Sequence, residues 1–204
     1  MNNLKQLGLA TAMYIQDYDD FIPYGYNPAG TPFSGYATPK CPAWYILLSP
    51  YLKLPIYNYY TIGNLVGGNL IYPSSALTCP SQLKAKTNSF RWGVPATYVP
   101  ITSVAYAGIT TPSGIRMGKY TRIKKSSQKA WLMDTSYDSN YFKCFYRNPS
   151  IIAEWEQSAI HNRGLNILYF DWSVKWMSVE EAKKWAGNLL APGSPFGDFY
   201  ELGW

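Results

Sequence analysis

The only histidine of this chain, His161, stands ten residues before Asp171 in the stretch that runs on to Trp176. Imidazole is the side chain that titrates nearest neutrality, so a His/Asp pair can move protons or hold a metal ion. A nucleophilic relay would have to use His161, because the chain has no other histidine. No Gly-x-Ser-x-Gly elbow, glycine-rich phosphate loop or His/His metal pair accompanies it. Asn162, Arg163 and Gly164 then read as a loop leading into a strand. The expectation is a hydrogen-bonded structural histidine, with no catalytic residue assigned.

The three cysteines are Cys41, Cys79 and Cys144, too far apart for a CxxC metal knuckle. With one histidine, a Cys/His zinc site is not expected. A disulfide among the three with one thiol left over, and three reduced thiols, both fit the sequence. Asp134, Asp138 and Asn140 put oxygen donors at short spacing in loop-like sequence, which suits calcium. The twelve-residue calcium-loop pattern is absent, so these three are calcium candidates on spacing alone. Asp17, Asp19 and Asp20 read as solvated carboxylates at a helix end.

Positioning these groups requires a core. At 204 residues the chain can bury one in a single domain. Apolar residues make up 47% and charged residues only 15%, against roughly 25% charged in an average soluble domain. Nineteen tyrosines help fill that gap, and tyrosine suits half-buried or partner-facing surface. Eight tryptophans could build a sugar-stacking platform, but the sheet-period placing of Trp131 and Trp176 favours the core. The net charge is +6, with its densest run at Lys119, Arg122, Lys124, Lys125 and Lys129. Alternation along Tyr120, Arg122 and Lys124 fits the solvent face of a strand, so no nucleic-acid partner is expected. The longest apolar runs fall far short of the ~18 residues a membrane helix needs.

The first element reads as an amphipathic helix with Leu4, Leu7, Thr11, Tyr14 and Tyr18 in one stripe. Asn3 with Gln6 offers a start box, and Pro23 should end the helix near Asp20. Ala43 to Leu52 reads as a short helix interrupted by Pro50, and a hairpin is expected around Gly67 and Gly68. Strand signals follow at Tyr98 to Ala107, Lys129 to Asp134, Leu165 to Phe170 and Val174 to Met177. The last two, separated by Asp171, Trp172 and Ser173, form a hairpin signature. Ser178 and Glu181 make a capping box for a short C-terminal helix that should stop at Gly187. The order lacks βαβα alternation, so the fold class is α+β: one helix packed on an antiparallel sheet.

Several blocks, taken in order, resemble a known family. The segment from Asn3 through Pro23 is similar to the part of the N-terminal helix that follows the membrane-spanning half in bacterial prepilin-like proteins. These are type II secretion pseudopilins and type IV pilin relatives that carry a processing-associated C-terminal motif: a histidine, nine residues, then Asp-Gly. Here His161 is followed by nine residues and Asp171-Trp172, with Asn162, Gly164, Asn166, Leu168, Phe170, Val174, Lys175 and Trp176 matching around it. Trp44 with Leu47 to Leu52, Cys79 with Pro80 and Ser81, and Ile123 to Asp134 resemble further blocks in the same order. The family's turn glycine is replaced by Trp172, so a different or longer turn is expected there. The leader and about 20 apolar residues of a membrane-spanning half are missing.

The resemblance implies a pilin-like fold, with residues 1–22 as the lower half of the N-terminal helix and 23–204 as the globular head of a single domain. It implies a bacterial filament subunit and not an enzyme, working in protein secretion or surface-filament assembly. Other pilin or pseudopilin subunits would be its partners through the helix. The full-length protein would be anchored in the inner membrane, with its head periplasmic or at the cell surface, and this chain would be a soluble truncation. His161, Asn162, Gly164, Asn166, Asp171, Trp172 and Cys79 would be motif residues with structural roles. The family's calcium site maps onto no residue here, so calcium rests on Asp134, Asp138 and Asn140 alone. The reading from another class is a secreted carbohydrate-binding module or hydrolase with a Tyr/Trp-rich surface.

Overall fold

Helix α1 spans Asn2–Asp17 in the computed structural model, which describes residues 1–23, 44–54, 76–77, 79–81, 98–100, 109–110, 114–115, 119–134, 159, 161–185 and 194–196. Leu4, Leu7, Ala10, Thr11, Tyr14 and Ile15 are buried along one face of α1, as the three/four spacing requires. Each large apolar side chain so buried contributes roughly 1.5–3 kcal/mol. Tyr18 departs from the expected stripe: it is exposed, and its ring stacks on Tyr14 at 4.3 Å. The expected Asn3 start box is also absent, since Met1 is the N-cap and makes no side-chain cap bond. The helix ends before Pro23 can act. Asp19 (φ 49°) and Asp20 (φ 65°) turn left-handed, and Asp20 N–H donates to the Ile15 carbonyl. Aspartate tolerates this backbone better than most residues.

The second helix, α2 (Trp44–Leu48), stops two residues before Pro50. Trp44 and Leu48 are fully buried, and Tyr51 in the following turn donates its hydroxyl hydrogen to Asp17 Oδ2 at 2.8 Å. Strands β1 (Tyr98–Pro100), β4 (Ala130–Asp134), β5 (Gly164–Tyr169) and β6 (Val174–Ser178) form an antiparallel sheet in the order β1-β4-β5-β6. Strands β2 (Ile109–Thr110) and β3 (Gly114–Ile115) pair separately. Short helix α3 (Val179–Lys184) follows β6, with the Ser178 hydroxyl accepting from Glu181 N–H as the capping box predicts. It ends at Lys184, short of the expected Gly187. The class is α+β.

The two central strands, β4 and β5, are buried along their whole length, so both faces are covered. Helix α1 supplies part of that cover. Gly8 lets α1 approach closely, since a Cβ there would sit 3.1 Å from Leu168 Cδ1. One polar link ties the layers: the Trp131 indole donates to Thr11 Oγ1 at 3.1 Å, and Thr11 donates in turn to the Leu7 carbonyl. Trp131 is therefore core, as expected, whereas Trp176 on the edge strand is 46% exposed.

The basic segment is no strand. Tyr120–Arg122 and Ser126–Gln128 are single 3-10 turns. Lys119 Nζ pairs with Asp19, and Lys129 is buried with Nζ donating to the Ser194 carbonyl. The strand expected over Tyr98 to Ala107 is described only as far as Pro100. The hairpin expected at Gly67 and Gly68 lies outside the described residues. No helix among those residues is long and apolar enough to cross a membrane.

Candidate functional site

The hairpin β5–β6 carries most of the residues that the sequence singled out. Its approach is a tight turn over His161 to Gly164, in which the N–H of each end residue donates to the carbonyl of the other. Asn162 (φ 53°) and Arg163 (φ 58°) both take positive φ, as a two-residue type I′ turn requires. The Trp176 indole donates to the His161 carbonyl at 2.7 Å, pinning that turn to the edge strand. Gly164 is the residue this contact needs, because a Cβ there would collide with the Trp176 ring and the Met177 carbonyl.

At the far end, Phe170 to Ser173 link the strands. Tyr169 N–H donates to Ser173 O and Trp172 N–H to Tyr169 O. Asp171 Oδ1 accepts from Ser173 N–H at 3.0 Å and from its hydroxyl at 2.6 Å, so the carboxylate caps the turn. The turn is longer than two residues, as expected, yet Trp172 itself takes the left-handed backbone at φ 65°. Stacking offsets the strain. Its ring lies 5.4 Å from Tyr120, nearly parallel, and meets Phe170 edge-on. His161 and Asp171 are thus a strand apart, roughly 20 Å. They are no acid/base or metal pair.

His161 instead meets residues from other parts of the chain. Its Nε2 lies 3.3 Å from Cys79 Sγ and 3.5 Å from Asp134 Oδ2. One donor atom from each of Cys79, Asp134 and His161 fits within a mutual 4.8 Å. Sheet register brings them together. Met133 pairs with Ile167 and Tyr98 with Asp134, which sets Asn166 beside the Asp134 carboxylate. Asn166 donates to Asp134 Oδ2 twice, from its backbone N–H at 2.6 Å and from Nδ2 at 3.2 Å.

The carboxylate is unevenly served. Its Oδ2 faces three nitrogens, whereas its Oδ1 is buried and has no hydrogen-bond partner among the described residues. Burial pushes the Asp134 carboxyl up to about 7, against the lowering pull of the Asn166 bonds. Burial also holds the imidazole of His161 below its ordinary value. Both shifts favour neutral forms, so the 3.5 Å approach is not a strong ion pair despite its length. The Tyr98 phenol is raised too, by burial first and then by Cys79 and Asp134 beside it. Cys79 is only 3% exposed, Asp134 0%, and the His161 side chain 23%, so solvent reaches the cluster through the imidazole.

A nucleophilic relay needs the base to meet its acid through one ring nitrogen and its nucleophile through the other. Here Cys79 and Asp134 share Nε2, and the thiol is buried. The cluster is not arranged as that relay. Of the three calcium candidates, only Asp134 lies among the described residues. Asp134 lies in strand β4 and not in a loop, and its neighbours are a thiol and an imidazole. Calcium takes six to eight oxygens. Asp138 and Asn140, the other calcium candidates, lie outside the described residues, as do Cys41 and Cys144 of the disulfide alternatives. Cys79 itself is a buried thiol.

Sequence reasoning named all three members of the cluster but never joined them. It places Cys79 and His161 in family-motif blocks, and Asp134 both at the end of a strand run and in a loop-like calcium set. The unbroken apolar run of β4 carried a signal, because an aspartate closing such a strand must find a partner in the core. Comparison of the chain with protein-family models, curated proteins and solved structures finds no match.

Proposed function

We propose that this chain is the globular part of a pilin-like filament subunit, of the pseudopilin kind, working in protein secretion or surface-filament assembly in bacteria. The observation that carries this reading is the two-sided character of α1. One face is buried on the sheet, while Leu9 (64% exposed) and Met13 (42% exposed) form an apolar pair, one turn apart, on the face turned to solvent. A helix that serves only its own core has a polar outer face. One that also packs against another subunit keeps apolar residues there.

The hairpin supports the same reading. His161 and Asp171 mark the two ends of β5, one fixing the approach and the other capping the return. Both roles are architectural, as the resemblance of this stretch to the prepilin-type motif implies. In this reading α1 continues a membrane-embedded helix, and α1 helices of neighbouring subunits pack along the filament. The head stands outside the cytoplasm.

The test places a photo-crosslinking amino acid at Leu9 or Met13 of the full-length protein in its native host. Adducts to a second pilin-like subunit in the membrane or surface-filament fraction are expected, with none from Lys53 on the head. Recovery of the protein in the cytoplasmic fraction, without adducts at either helix position, removes the reading.

A further inference from the structure

Cys79, Asp134 and His161 converge from positions far apart in the chain, and the reason for burying this set is not met by hydrogen bonding alone. Asp134 Oδ1 is fully buried and has no hydrogen-bond partner among the described residues. A carboxylate in such a place calls for a cation, either a proton or a metal ion. The neighbouring donors are a sulfur and an imidazole nitrogen, which suit zinc and its chemical relatives and not calcium or magnesium.

The spacing can be checked against coordination geometry. Zinc binds thiolate sulfur at about 2.3 Å and imidazole nitrogen or carboxylate oxygen at about 2.0–2.2 Å. A tetrahedral ion therefore holds its sulfur and nitrogen ligands about 3.6 Å apart, and its nitrogen and oxygen ligands about 3.3 Å apart. The observed separations are 3.3 Å for Sγ to Nε2 and 3.5 Å for Nε2 to Oδ2. The third separation, from Sγ to the carboxylate, is within 4.8 Å, so side-chain adjustment must close it towards the tetrahedral value.

We infer that Cys79, Asp134 and His161 form a binding site for a thiophilic divalent cation of the zinc class. Three protein ligands leave a fourth position for water. Asn166 fixes the carboxylate with two hydrogen bonds to Oδ2, and the partly exposed imidazole gives the ion its path in. Binding releases to solvent the proton of the Cys79 thiol and any proton held by the Asp134 carboxyl, and it uses the imidazole in its neutral form. The inference rests on these residues alone and stands apart from the filament reading.

The chain's single histidine makes the test clean. Reduced protein, free of any polyhistidine tag and stripped with chelator, is labelled with nitrogen-15 histidine and titrated with zinc. One imidazole spin system is seen, and one equivalent of zinc should shift Nε2 to a metal-bound position while Nδ1 carries the proton. In parallel, cobalt(II) should give the intense visible bands of a four-coordinate ion together with thiolate-to-cobalt charge transfer. Zinc should bleach both and calcium neither. The bands should survive Cys41→Ser with Cys144→Ser and be lost in Cys79→Ser. An unchanged imidazole at one equivalent of zinc overturns the inference in the wild-type protein, whatever the variants do. So does charge transfer that persists in Cys79→Ser.

Discussion

The indole of Trp176 lies over Gly164, directly across the β5–β6 hairpin from the turn that holds His161. A Cβ at Gly164 would come within 2.5 Å of the Met177 carbonyl, which is backbone and cannot swing aside. Gly164→Ala should therefore destabilise the protein by about 1–3 kcal/mol, as overpacking does. Denaturant melts check this, and a loss under 0.5 kcal/mol, about the size of an ordinary surface change, contradicts the geometry. The same variant should loosen the His161 carbonyl from the indole and change the exposed Trp176 fluorescence.

Trp172 sets a backbone penalty against a ring. The left-handed conformation costs a non-glycine residue roughly 1–2 kcal/mol, and stacking returns about 0.5–1.5 kcal/mol beyond simple burial. Removing the ring while keeping a Cβ retains the penalty and loses the benefit. Trp172→Ala should thus be less stable than Trp172→Gly by about 1 kcal/mol, the reverse of the usual order in a regular element. Equal stability of the two variants would show that φ 65° carries no strain here.

Asn166 donates two hydrogen bonds to the carboxylate of the proposed metal set. Removing its side chain leaves the backbone N–H bond but frees the carboxylate to rotate. Asn166→Ala should weaken cobalt(II) affinity by about 10–100-fold, the usual effect of losing such an orienting contact. A chelator competition titration reads this directly. Unchanged affinity would mean that the backbone bond alone fixes Asp134.

Tyr169 is nearly buried at the end of β5, and its phenol is pushed up to about 12, by burial first and then by Glu181 and Asp171. A raised folded-state value means that the native protein holds this proton more tightly than the unfolded chain. The stability involved is fully present below the unfolded value of 10.0 and is lost as pH rises towards about 12. It amounts to at most about 2–3 kcal/mol. Tyr169→Phe lacks the titration, so its stability relative to wild type should improve between pH values of about 9 and 12. A constant difference across that range would put the phenol in water.

Local chemistry in this chain could be read without coordinates. Ser178 and Glu181 form their cap within four residues, and the two apolar runs either side of Asp171 to Ser173 give the hairpin. The stripe of α1 was legible as far as Tyr14, where it stops facing the core. What could not be read depends on contacts between distant segments. Trp172 tolerates its backbone because Tyr120 lies beneath it. The run from Tyr120 to Lys124 looked strand-like, but Lys119 is drawn to Asp19 at the end of α1, and the segment turns there. Asp134 reads from the sequence both as the end of a strand run and as part of loop-like sequence, and only sheet register places it in the core. His161 cannot be joined to Asp134 from the sequence for the same reason: spacing along the chain says nothing about which side chains meet across a sheet.

The Cys79–His161 contact spans 82 residues of chain. Closing so wide a loop costs on the order of 4 kcal/mol in chain entropy before any contact rewards it. The β5–β6 hairpin and its capped helix, by contrast, close over a handful of residues, so polymer statistics favour their forming first. The segment bearing Cys79 then arrives at a surface already built. Assembly of the thiol, imidazole and carboxylate becomes a late event in folding, and a chain trapped short of it keeps an accessible sulfhydryl. Alkylation rate at Cys79 would then time the final step of maturation.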